Sequence, residues 1–138
     1  MTCSTVEKGV SYAKTQGFIR DVKKWVAAGV PIDGVGVQAH LVKGESGNVP
    51  AALKALCALT PECALTELDI GGAGASEYTT TVKACMDIQN CIGITEWGIS
   101  DNHSWRSNTS PTLLDSSLNA KPAYTALLQL AATYTKSS

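Results

Sequence analysis

No apolar run in the chain approaches the roughly 20 residues needed to cross a membrane, so a membrane partner is not expected. There is no basic block either. Eleven Lys and Arg are balanced by twelve Asp and Glu, for a net charge of −1. Phosphate backbones are bound by clustered Lys and Arg, so nucleic acid is a poor partner and a neutral substrate fits better. Residues 1–10 are polar and carry no apolar stretch of the kind that forms a signal peptide. There is no low-complexity linker, and no repeat beyond the strand–helix rhythm described below. Residues 1–138 therefore read as one unit without a domain boundary. Aromatic residues make up only 6% of the chain, which gives weight to each tryptophan. What is present, 44% hydrophobic residues in 138, suffices for a real core and argues against disorder.

Five cysteines are many for a cytosolic protein of this size. Two pairs share a spacing, Cys57 with Cys63 and Cys85 with Cys91, each with five residues between. Each pair sits where a helical pattern gives way to a strand pattern. Two short disulfides would staple these joints, each stabilising by about 2 kcal/mol in the loop-entropy view; free thiols are the alternative. A metal site is not expected, because no second Cys or His lies at ligand spacing nearby. Cys3 is left over, which in a secreted protein points to a partner elsewhere or an intermolecular bond. Two acceptor triplets for N-linked glycans, Asn102-His103-Ser104 and Asn108-Thr109-Ser110, fall in one polar loop. Cysteines and triplets together point to secretion.

Helical spacing of Phe18, Val22, Trp25 and Val26 predicts a helix over 10–29, with Trp25 packed in the core. Gly29 and Pro31 stop it. A strand follows over 31–41, a polar loop over 43–48, and a second helix over 49–59 with Pro50 in its first turn, where a missing N–H costs nothing. A second strand covers 63–70. After a loop at 71–75, with Ser76 as candidate N-cap, a third helix covers 77–89. A third strand covers 91–100, a long polar loop 101–120, a last helix 122–134, and the tail 135–138 frays. The strand starts lie about 30 residues apart, the length of one βα unit. The fold class is α/β, with parallel strands covered by helices.

Residues two apart on a strand share a face. Strict alternation puts Cys63, Leu65, Glu67 and Asp69 on one side of the second strand and Ala64, Thr66, Leu68 and Ile70 on the other. Two acids then stand at the C-terminal end of a strand that should be buried, where α/β proteins bind ligands. An unmatched acid there is costly unless it is paired or functional. Gln38 and His40 share a face at the same end of the first strand, and a histidine beside such a pair can set its ionisation. The third strand ends in Glu96-Trp97-Gly98, with Trp105 in the following loop. Tryptophan faces stack on the apolar faces of sugar rings, although core packing would use the same residues.

These segments resemble the glycoside hydrolase family 10 endo-1,4-β-xylanases. Gly34-Val35-Gly36-Val37-Gln38-Ala39-His40-Leu41 is similar to their sixth strand, Leu65-Thr66-Glu67-Leu68-Asp69-Ile70 to the seventh, and Gly93-Ile94-Thr95-Glu96-Trp97-Gly98-Ile99-Ser100-Asp101 with Ser104-Trp105-Arg106 to the eighth and its loop. Lys121-Pro122-Ala123-Tyr124 resembles the start of the closing helix. The likeness runs from about Tyr12 to Leu130, in family order and spacing, and is to the C-terminal part of fungal-type members. It implies a partial (β/α)8 barrel of about three parallel strands, six to eight, with four helices. It also implies retaining hydrolysis of β-1,4-xylosidic bonds, with no cofactor and no metal, and with xylan or xylo-oligosaccharide as partner. Glu67 would be the nucleophile. His40 would hydrogen-bond it and keep it ionised, and Asp69 would orient His40. Gln38 would contact the sugar, and Trp97 and Trp105 would wall the subsite. Cys85–Cys91 matches a disulfide frequent in fungal members, to which Cys57–Cys63 is a second candidate.

Retaining glycosidases use two carboxyl groups about 5–5.5 Å apart. The Asn-Glu motif that carries the family's acid/base is not in this sequence, and a whole barrel takes typically about 250 residues. The open sheet is therefore expected to be covered by the N-terminal barrel portion or by a second copy. The competing expectation is a non-catalytic, carbohydrate-binding remnant with little turnover of its own. Glu96 departs from the family pattern; alternation places it with Ile92 and Ile94 on the face that meets the helices, which argues against its standing in as the acid.

Overall fold

The computed structural model describes residues 2–6 and 8–135, the backbone alone for 2–5. The side chain of Cys3 and the tail from residue 136 lie outside the described residues. Four parallel strands, β1 (Thr2–Thr5), β2 (Gly34–Val42), β3 (Glu62–Gly71) and β4 (Cys91–Glu96), form one sheet in the order β1-β2-β3-β4. Helices α1 (Ala13–Ala27), α2 (Val49–Cys57), α3 (Ala75–Met86) and α4 (Pro122–Thr133) alternate with them. The three expected strands are thus joined by a fourth, short one at the edge. The sheet is open, a partial barrel rather than a closed one.

One face of the sheet carries the core. Val35, Val37, Ala39 and Leu41 of β2 are all buried, as are Cys63, Leu65, Leu68 and Ile70 of β3, and they pack with Val22, Ala52, Leu53, Leu56 and Tyr78 from the helices. The burial of both Leu65 and Leu68 breaks strict alternation. Val37 pairs with Leu65 but the next residue, Gln38, pairs with Glu67, so Thr66 is an extra residue in β3. This β-bulge resets the faces. Cys63 and Leu65 belong with the helices, against the expectation from parity, while Ala64, Thr66, Glu67 and Asp69 look the other way. The pairing of Glu67 with Asp69 on one face survives because both lie beyond the bulge. On the face without helices, Gly34, Gly36, Ala64, Thr66 and Ile92 line an open hollow of about 290 Å³.

The helices follow local chemistry, with some corrections. α1 starts at Ala13 and closes with the Val30 N–H on the Trp25 carbonyl at 3.0 Å. Of its expected core stripe only Val22 is fully buried; Trp25 is 37% exposed, because the helix packs on the core through Phe18, Ile19 and Val22 instead. Gly74, not Ser76, caps α3; the Ser76 carbonyl instead accepts the hydroxyls of Thr79 and Thr80. β4 stops at Glu96 rather than Ser100, because Gly98 turns the chain with φ of +127°. The long loop after it holds two single-turn 3₁₀ helices, Asp101–His103 and Ser107–Thr109.

Both cysteine pairs are disulfides. Cys57–Cys63 ties the end of α2 to the start of β3, and Cys85–Cys91 the end of α3 to the start of β4. Sulfurs of Cys57, Cys63 and Cys91 lie within 4.8 Å of one another, because Cys63 and Cys91 are paired across neighbouring strands, and all are committed to disulfides. Asn90 bridges the two joints, donating to the carbonyls of Cys57 at 2.8 Å and Thr60 at 3.1 Å.

The bulge makes opposite demands on adjacent residues. Leu65→Ala should destabilise the fold by about 2–5 kcal/mol, as a core truncation does. Thr66→Val should change stability by no more than about 1 kcal/mol, since the Thr66 hydroxyl is buried without a hydrogen-bond partner. Urea unfolding of the two variants checks this; a regular, bulge-free strand would give the reverse ranking.

Candidate active site

The bulge aims Glu67 and Asp69 away from the helices, and the register sets Gln38 beside Glu67 and His40 beside Asp69. The four side chains form a chain of contacts across β2 and β3. Gln38 Nε2 donates to Glu67 Oε1 at 2.9 Å. His40 lies between the acids, with Nε2 2.9 Å from Glu67 Oε2 and Nδ1 3.0 Å from Asp69 Oδ2. When both acids are ionised, both ring nitrogens must donate, which a neutral imidazole cannot do. The ring orientation is set from both sides.

The loop after β4 supplies the rest. Its backbone runs back along the end of β3, with Pro111 accepting the Ile70 N–H at 3.0 Å and Thr109 accepting the Gly72 N–H at 2.7 Å. This brings Trp105 Nε1 to Asp69 Oδ2 at 2.9 Å and Arg106 Nη1 to Asp69 Oδ1 at 2.6 Å. Arg106 Nη2 reaches the Leu41 carbonyl at 2.9 Å. The close approach needs glycine at 71, where a Cβ would stand 3.0 Å from Thr109 and 3.2 Å from Arg106 Nη2. Asp69 is thereby fully buried, at 0% exposure, while Glu67 keeps 15%.

The two tryptophans meet the edge of the His40 ring. The Trp105 centroid lies 5.0 Å away at 74°, and that of Trp97 6.2 Å away at 72°. Both indoles remain accessible, Trp97 at 43% and Trp105 at 65%. Exposed aromatic faces beside a half-buried carboxylate can stack on a ligand ring while the carboxylate acts on it.

A family model for glycosyl hydrolase family 10 matches residues 5–130. The chain belongs to glycosyl hydrolase family 10. It is 46% identical over 119 residues to endo-1,4-beta-xylanase 3 of Hypocrea jecorina, an alignment covering 86% of this chain and 34% of that protein. It is 43% identical over 118 residues to endo-1,4-beta-xylanase 2 of Claviceps purpurea, covering 86% and 36%. This family 10 chain thus spans about a third of the length of these curated relatives. Among solved structures it is similar to the catalytic core of xylanase A, with a TM-score of 0.77, 28% identity, and 90% of this chain against 46% of the other. It is also similar to a xylanase 10C from Cellvibrio japonicus in complex with xylopentaose, with a TM-score of 0.76, 26% identity, and 88% against 31%. A partial (β/α)8 barrel is the fold class of this family 10 chain.

All six residues singled out in the sequence, Gln38, His40, Glu67, Asp69, Trp97 and Trp105, come together in one cluster. The disulfides stand apart, at the N-terminal starts of β3 and β4. Sequence reasoning missed Arg106 as a member of the cluster. A signal was there: a carboxylate buried on a strand needs a cation, and the arginine directly after Trp105 lies in the loop that passes over Asp69.

Glu96 is elsewhere. It pairs with Leu68 on the helix side, where Tyr78 Oη donates to Glu96 Oε1 at 3.2 Å. Ile94 shares that side, whereas Ile92, 65% exposed, does not. Burial first, and the charge of Asp69 second, push the Glu96 carboxyl up to about 8, against the lowering effect of its bond from Tyr78 and of Lys121. A second carboxylate, Asp101, anchors the loop. It accepts from Ser110 Oγ at 2.6 Å, Thr112 Oγ1 at 2.9 Å and Lys121 Nζ at 3.0 Å. Burial raises its carboxyl, but these bonds together outweigh that and hold it below the usual range.

The raised Glu96 carboxyl has a consequence for stability. The folded state holds this proton more tightly than the unfolded chain. The Glu96 contribution is therefore fully present below the unfolded value near 4.5 and is lost as pH rises through about 8. Glu96→Gln keeps the bond with Tyr78 and removes the titration. Melting temperatures measured from pH 4 to 9 should show a downward trend in the unsubstituted chain that the variant lacks; parallel curves would contradict the buried, protonated Glu96.

Proposed function

We propose that residues 1–138 are the C-terminal portion of a family 10 catalytic domain and carry the nucleophile side of a retaining endo-1,4-β-xylanase site. The observation that carries this reading is the position of His40 between Glu67 and Asp69 in a chain whose relatives are named endo-1,4-beta-xylanases. Glu67 is the nucleophile. Its Oε1 is steadied by Gln38 and its Oε2 by His40, which leaves the carboxylate turned toward the open face. There it attacks the anomeric carbon of a xylose unit. The glycosidic C–O bond breaks as the ester to Glu67 forms, and water later cleaves that ester.

Asp69 orients His40. Trp97 and Trp105 wall the sugar subsite with their exposed faces, and Gln38 contributes to it. The acid/base is a residue of the remaining barrel: Glu96 looks toward Tyr78 and cannot share a face with Glu67. The remaining barrel also covers the hollow at Gly36, Ala64, Thr66 and Ile92. The substrate class is xylan or xylo-oligosaccharide. The protein works outside the cell, a reading supported by two disulfides and by acceptor triplets whose Asn102 and Asn108 are exposed.

A 2-deoxy-2-fluoro-β-xyloside with a dinitrophenyl leaving group tests the reading, because dinitrophenolate departs without acid assistance. The expected result is a covalent adduct, located on Glu67 by peptide mass spectrometry and absent in Glu67→Gln. No adduct together with no detectable xylobiose binding would overturn the assignment for this chain.

A further inference from the structure

Asp69 holds more partners than the orientation of His40 requires. Its Oδ2 is shared by His40 Nδ1 and Trp105 Nε1, and its Oδ1 accepts from Arg106 Nη1. The guanidinium is itself held: its second terminal nitrogen bonds the Leu41 carbonyl, one residue beyond His40 on β2. Arg106 thus spans the C-terminal ends of β2 and β3 from a third element, the loop after β4. Its side chain is only 15% exposed, and Gly71 leaves the space it occupies.

We propose that Arg106 is a positioning residue, which locks the Asp69 carboxylate and so fixes His40 at the angle in which it holds Glu67. Two arguments support this. The first is geometric. Arg106 holds Oδ1 of Asp69 and the Leu41 carbonyl with two nitrogens of one planar group, whereas the bonds from His40 and Trp105 both fall on Oδ2 and alone would leave the carboxylate free to pivot about that oxygen. The second is electrostatic. The charged and titratable groups facing Asp69 are His40 from β2, Glu67 from its own strand, Arg106 from the loop, and, by charge at longer range, Glu96 of β4 and Tyr78 of α3. Without Arg106 the buried Asp69 loses its ion pair with a guanidinium, and the bonds that remain on it, from His40 and Trp105, must bear the whole of its charge. The chain would keep its bulge, its strands and Glu67, yet present the nucleophile with a misdirected ring.

The inference rests on the reading of Glu67 as nucleophile, and its test separates the two. Arg106→Gln removes the charge and the fork; Arg106→Lys keeps the charge and loses the fork. The His40 ring is followed by 15N NMR, and Glu67 labelling by the fluoroxyloside is followed as a rate and a half-saturation concentration. In Arg106→Gln the His40 ring signals should shift and broaden, as those of a ring no longer held at one angle do. The labelling rate constant should fall roughly 10- to 100-fold, the scale of a small misplacement of reacting groups, with little change in half-saturation. Arg106→Lys should restore part of the ring signals and part of the rate, and it carries the test if Arg106→Gln does not fold. Unchanged ring signals and an unchanged rate in a folded variant would overturn the positioning role. Absence of labelling in the unsubstituted chain would instead sink the nucleophile assignment, while the ring signals would still decide what Arg106 does.

Discussion

Asp69 is a carboxylate with no exposed surface, set at the end of a strand in a protein whose charged residues number fewer than one in five. Removing such a charge from water costs several kcal/mol unless it is matched. The match comes from three directions: His40 on β2, and Trp105 and Arg106 on the loop after β4. Each of these side chains is then fixed in turn. The loop lies where Asp69 needs it, Trp105 stands where a sugar ring can use it, and His40 points its far nitrogen at Glu67. The site is assembled around one buried negative charge.

The loop that delivers Trp105 and Arg106 is held by a second carboxylate, in a different way. Asp101 gathers hydroxyls and the Lys121 ammonium at the base of the loop, so that the segment closes on itself before α4 begins. Tyr78 adds a third fastening: its hydroxyl contacts the Pro111 carbonyl, Glu96 and the Ile70 N–H. Helix α3, strand β4 and the loop are joined at one phenol. The segment from Trp97 to Lys121, without a long helix or strand, is thus kept in register with β3 largely by polar contacts.

Two carboxylates on neighbouring strands end in different regimes because of which face they occupy. Glu67 looks into the open side, where it keeps 15% exposure and is held by two donors. Glu96 looks into the helices, where burial keeps its proton on near neutral pH. The sheet between them separates a group suited to attack from one suited only to structure.

Much of this was legible in the residues. The order of strands and helices followed from periodicity and from stop signals such as Gly29-Pro31, and both disulfides were among the alternatives that the paired spacings allowed. The cluster of Gln38, His40, Glu67, Asp69 and the two tryptophans followed from where strand ends must lie, and the family resemblance followed from their motifs. Tertiary structure decided the rest. Alternation along a single strand assumes a regular ladder, so it could not find the extra residue at Thr66, which exists only relative to β2 and β4. Nor could spacing show that Trp25 would stay half exposed, since burial depends on how a helix lies on the sheet. Arg106 was invisible for the same reason: its partner is 37 residues earlier in the chain, and only the folded loop brings that charge to Asp69. The sequence by itself determined which elements form and which side chains crowd one end of the sheet. The faces those side chains occupy, and the cation that makes a buried aspartate tolerable, were settled by contacts between elements distant in sequence, which no local pattern encodes.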